Sequence, residues 1–178
     1  MKYQIDQSGK IEQTHCVTVL ACTNDHTITV QINARVKRRL QEVFRRCGMN
    51  KLYIYYLFSV GIYFLIKDLR KEVEITIDKE YPGKEKLIKS MIEELLSIHN
   101  KSAHNILFAR IGNEPDVHYA AHDIFTKKKK PQQVITVKDF VEATKKTDGR
   151  LRECLSTLVD ARTRSTKKRY QKKIKKSR

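Results

Sequence analysis

Val73-Glu74-Ile75-Thr76-Ile77-Asp78-Lys79-Glu80 alternates apolar and polar side chains, with Val73, Ile75 and Ile77 on one parity and Glu74, Thr76 and Asp78 on the other. A period of two is that of a β-strand buried on one face. Behind it, Tyr81-Pro82-Gly83 signals a turn. Leu87, Ile88, Met91, Ile92, Leu95 and Leu96 then recur at helical spacing, with Lys84, Lys86, Lys89, Glu93 and Glu94 on the solvent side. Strand, turn and helix in that order make an α/β unit. Asp78 falls where the strand ends, the usual place for chemistry on such a sheet.

Toward the N-terminus, Tyr3-Gln4-Ile5-Asp6 reads as a short strand that runs into a turn at Gln7-Ser8-Gly9-Lys10. Residues 14–23 are rich in β-branched side chains, Asn24-Asp25 marks a tight turn, and residues 27–32 alternate. These predict a three-stranded antiparallel meander. Periodicity then changes: Val36, Leu40, Val43, Phe44 and Cys47 recur at helical spacing, and Gly48 is placed to end that helix.

Toward the C-terminus, residues 105–111 predict a buried strand closing at Gly112. Glu114-Pro115-Asp116 opens a helix through Val117, Ala120, Ala121 and Ile124 to Lys127, Lys128, Lys129 and Lys130. From Pro131 the character shifts. Val137, Phe140 and Val141 give a weaker helical pattern over 134–146, and Leu151, Leu155 and Leu158 another over 150–161. Residues 162–178 hold ten Lys/Arg and no acid, a basic tail that includes Lys167, Lys168 and Arg169. The expected organisation is a mixed α/β core over 1–130, a helical extension over 131–161 and the tail over 162–178.

A chain of 178 residues with 40 % apolar side chains is enough for one well-cored domain with an appendage. Its formal charge of +17 exceeds what solubility needs and points to polyanions, nucleic acid first and an anionic membrane surface second. Residues 52–66 form a run without charge, containing four tyrosines, Ser59 and Gly61. A bilayer span takes roughly 20 apolar residues, so this run reads as a buried core helix or a helix plus a strand, and membrane insertion is not expected. Cys16, Cys22, Cys47 and Cys154 form no Cys-x-x-Cys pair. Without a signal peptide they read as reduced, mostly buried thiols of a cytoplasmic protein, with neither a zinc ribbon nor a disulfide framework.

Summed, the elements run three strands, helix, apolar run, strand, helix, strand, helix, with acids at the ends of the first and fourth strands and on the last core helix. In this the chain resembles the ribonuclease H-like superfamily. Tyr3-Gln4-Ile5-Asp6-Gln7-Ser8-Gly9 is similar to the start of an uncharacterised family with an Asp-Glu-Ser-Gly motif, and His118-Tyr119-Ala120-Ala121-His122-Asp123 to that family's closing Ala-Asp helix. The resemblance spans residues 1–130. It implies a ribonuclease H-like mixed sheet flanked by helices, and a metal-dependent nuclease acting on RNA or DNA. Asp6 would bridge two Mg²⁺ or Mn²⁺ ions, Asp78 would hold the first and Asp123 the second. Two such ions stabilise the attacking and leaving oxygens of a phosphodiester. The chain departs from the motif at Gln7, where the family has an acid. No small-molecule cofactor is implied.

Each of these acids also has a plainer reading. Asp6 before Ser-Gly is a turn former, and Asp78 can simply terminate its strand. Asp123 lies among alanines on a helix face expected to be buried, where a charge needs a partner or a metal. Asp116 shares that face roughly 10 Å away and suits the first turn of the helix. Glu80 has the strand parity of Asp78 and is a fourth candidate; Glu42 falls on the solvent side of its helix. His118 and His122 have the i, i+4 spacing of a zinc pair but lack a third ligand; they read as a structural or solvent-facing pair, with proton shuttling by one of them as the lesser alternative. Lys127–Lys130 adjoin the proposed site and suit phosphate contacts. The rival function is a non-catalytic basic nucleic-acid binder or ribonucleoprotein component on the same scaffold, in which the tail does the binding.

Overall fold

The computed structural model describes residues 1–69, 73–111, 115–147 and 149–156. Within them, six strands form one sheet: β1 (Lys2–Ser8), β2 (Thr18–Thr23), β3 (Thr27–Ile32), β4 (Glu74–Asp78), β5 (Asn105–Ala109) and β6 (Gln133–Ile135). Their spatial order is β5-β4-β1-β2-β3-β6. The first three pair antiparallel, as the turn signals required. β4 joins β1 in parallel, β5 joins β4 in parallel, and β6 lies parallel to β3 at the far edge. The architecture is therefore a mixed α/β sheet covered by helices on both faces.

One face of the sheet carries Ile5, Leu20, Cys22, Val30, Ile32, Ile75 and Ile77, all buried in the main core. Against it pack α1 (Ala34–Arg46), α2 (Tyr53–Ile66), α3 (Glu85–Ile98) and α5 (Val137–Thr144). The uncharged run is α2, buried over most of its length, and no helix among the described residues is long and apolar enough to cross a membrane. Gly61 lets α2 approach the sheet closely, since a Cβ there would stand 2.3 Å from Leu20 Cδ1. Gly48, at φ +67°, follows α1 as its spacing predicted. The opposite face is covered by α4 (Pro115–Phe125), whose Val117, Ala121 and Ile124 pack on Val19 and Ala21.

The segment after Pro131 differs from the expected helical extension. Gln133–Ile135 is a strand, and α5 begins only at Val137, behind a capping box in which Thr136 and Asp139 satisfy each other's backbone N–H groups. Gln132 fastens β6 by accepting from the Thr29 N–H and donating to the Thr27 carbonyl. Residues 149–156 are helical, and Leu151 and Leu155 enter the main core. That helix brings Cys154 against the end of α1, where it forms a disulfide with Cys47, so two of the four thiols expected to be reduced are paired. Cys16 and Cys22 are free. The basic tail, with Lys167, Lys168 and Arg169, lies outside the described residues.

Candidate metal centre

Strand alternation decides which acids can meet. Ile5 and Ile77 are register partners that face the main core, so their successors Asp6 and Asp78 stand side by side on the other face. Glu80 follows at the exit of β4. One carboxylate oxygen from each of Asp6, Asp78 and Glu80 lies within 4.8 Å of the others. Gln7 takes the parity of Ile5 and is buried at 8 % exposure, so the departure from the motif at this position removes no carboxylate from the group.

The two aspartates are held from the backbone. Asp6 Oδ1 accepts from the Gln7 N–H at 2.7 Å, and Asp78 Oδ1 from the Ile111 N–H at 2.8 Å. His118, in the first half of α4, places Nδ1 at 3.1 Å from Asp6 Oδ2 and donates to it when that nitrogen carries the proton. Burial first, and then the negative charges of Asp6 and Asp78, push the Glu80 carboxyl up to about 7, with Lys10 opposing. Three crowded carboxylates, one of them reluctant to ionise, form an oxygen-rich donor set suited to a hard divalent cation.

Two loops frame this group. The 9–17 loop is anchored by Lys37, which is fully buried and whose Nζ donates to the carbonyls of Lys10 (2.9 Å) and Gln13 (2.8 Å) and to Thr18 Oγ1 (2.8 Å). Burial pulls this ammonium down to about 8, while Cys16 and Glu12 act in the opposite direction. Gly9 at φ +73° starts the loop where a Cβ would meet the Val17 carbonyl at 2.4 Å and the Phe125 ring at 2.5 Å. The loop after β4 is fixed by Tyr81, whose ring packs edge-on against Phe58 and Tyr55 and whose hydroxyl donates to Glu12. Burial raises the Tyr81 hydroxyl above its ordinary range, so it stays a donor.

Asp123, the third ligand implied by the resemblance, is not among the three grouped carboxylates. It is ion-paired with Lys129 at 3.0 Å and, more loosely, with Lys128 at 3.9 Å, and these ammonium groups hold its carboxyl below the usual range. The cause is a turn that helical parity does not show. Lys127 adopts φ +63°, and the N–H groups of Lys128 and Lys129 fold back onto the Asp123 carbonyl. All four of Lys127–Lys130 are exposed, and so is Asp116. Glu42 pairs with Arg45 and Arg46 on the solvent side of α1, as its spacing required. His118 is the residue that sequence reasoning undervalued. Its contact with Asp6 across 112 positions has no local signal. No family model, curated protein or solved structure matches this chain.

Proposed function

We propose that the protein is a divalent-metal-dependent nuclease with a ribonuclease H-like core, hydrolysing phosphodiester bonds in RNA or DNA. The observation that carries this reading is the meeting of Asp6, Asp78 and Glu80 within 4.8 Å on the face away from the main core. The sheet order supports it: an antiparallel meander extended by two parallel strands beyond β1, with Asp6 in the second half of β1 and Asp78 closing β4. Glu80 replaces Asp123 in the proposed ligand set, because Asp123 is taken up by Lys129.

Mg²⁺ or Mn²⁺ held there would polarise the phosphodiester and acidify a water. The chain's own groups have separate tasks. The Gln7 and Ile111 N–H groups fix the two aspartates in place. His118 orients Asp6, and Lys10 lowers the cost of ionising Glu80. The excess of 17 positive charges draws the polyanion in.

The test is cleavage of labelled single-stranded and duplex RNA and DNA with Mn²⁺ or Mg²⁺, its loss in EDTA, and its loss in Asp78→Asn. Absence of cleavage with either metal, together with nucleic-acid affinity unchanged by Asp6→Asn, would refute the enzyme. It would leave the second reading, a non-catalytic basic binder, which the diversion of Asp123 into an ion pair favours.

A further inference from the structure

The core-facing side of α4 is complete without its solvent side. Val117, Ala121 and Ile124 make the contacts with β2. Yet the outer side carries three adjacent rings. Tyr119 is 61 % exposed, and the His118 side chain is 57 % exposed. His118 and Tyr119 stand edge-on with centroids 6.0 Å apart, and His118 and His122 stack at 6.1 Å. Of the three, His118 and Tyr119 are exposed and His122 is half-buried.

Their position is informative. At one end of the row, His118 touches Asp6 of the carboxylate group. Past the other end, α4 closes at Phe125, and the turn beyond it carries Lys127–Lys130, all exposed. One helix and the turn after it therefore bring together the carboxylates, a row of flat rings, and a cluster of ammonium groups. Flat rings offer a face to unpaired bases and ammonium groups neutralise phosphates. A duplex keeps its bases stacked on one another, so a surface of this kind selects strands whose bases are free.

We infer that the outer side of α4 is a stacking platform for single-stranded nucleic acid, with Tyr119 as its principal contact and the exposed Lys127 and Lys130 on the backbone. This rests on the nucleic-acid reading above and adds strandedness to it.

The experiment is fluorescence anisotropy of the full chain in EDTA, where no cleavage occurs, with a short labelled oligonucleotide alone and annealed to its complement, in RNA and DNA forms. Tyr119→Ala should weaken the single strand about tenfold, the value of one stacked base, and leave the duplex unchanged. Tyr119→Phe should bind like the parent, and Tyr119→Leu like the alanine variant. Equal losses on strand and duplex, or no loss on either, would overturn the platform. Because binding is read without metal, the two readings fail separately. Stacking-dependent binding without cleavage keeps the platform and removes the hydrolase; single-strand cleavage undiminished in Tyr119→Ala removes the platform and keeps the hydrolase.

Discussion

Glu80→Gln should stabilise the metal-free protein, and the structure sets how much. Unit charges no more than 4.8 Å apart repel by at least roughly 3 kcal/mol at an effective dielectric near 20. A carboxyl pushed up to about 7 in the folded state from 4.5 when unfolded destabilises the fold by about 3 kcal/mol once it is fully ionised. The two figures describe overlapping effects, since burial is the larger cause of the shift, and they agree on scale. The sign follows from proton binding. The folded state holds this proton more tightly, so its contribution is fully present below pH 4.5 and is lost as pH rises to 7. Glutamine keeps the size and removes the charge. In EDTA at pH 8 the variant should melt about 6–12 °C above the parent, and the gap should close near pH 4. Mn²⁺ should reverse the order by stabilising the parent more. Urea unfolding across this pH range, with and without Mn²⁺, measures both effects. A gap that does not change with pH, or equal stabilisation of both proteins by Mn²⁺, would refute the crowding argument and the cation site with it.

Lys37→Met should cost about 1–3 kcal/mol in urea unfolding, because it removes the charge-assisted hydrogen bonds of the ammonium, while each carbonyl keeps a weaker donor from Thr18, Gln13 or Cys16. Amide exchange should quicken through the 9–17 loop, and an unchanged midpoint would show the lysine to be dispensable. Gly9→Ala should destabilise by about 3 kcal/mol or more, combining left-handed strain with a Cβ 2.4 Å from a backbone oxygen; near-parental stability would contradict that geometry. Cys154→Ser should lose up to about 4–5 kcal/mol, given a closure over 107 residues. The loss should vanish when both proteins are measured in a dithiol reductant. A difference that persists there would assign it to packing instead.

Much of the fold was legible because it rests on local period. The alternation at Glu74–Asp78, the stripe of α3, and Gly48 behind α1 each state their structure within a few residues. The same alternation paired Asp6 with Asp78, since both follow core isoleucines. What escaped was set by distant partners. Three residues at Gln133–Ile135 carry no period of their own, and their pairing depends on β3, about 100 positions earlier. Parity put Asp123 on a buried helix face, whereas it is half-buried beside the packed face of Val117, Ala121 and Ile124, and the backward turn at Lys127 closes lysines on it. Glu80 ranked low because it lies past the strand end, where alternation stops informing. The Cys47–Cys154 bond, spanning 107 positions, had no spacing to announce it.

The anchoring of the 9–17 loop has an evolutionary corollary. Lys37 grips main-chain oxygens of Lys10 and Gln13, atoms that every residue type possesses. Substitutions at either position leave that grip intact, so the rim beside the carboxylates is free to change its chemistry while keeping its course. Variation at Gln13, over an invariant lysine at 37, is the pattern such an arrangement would leave among descendants of this chain.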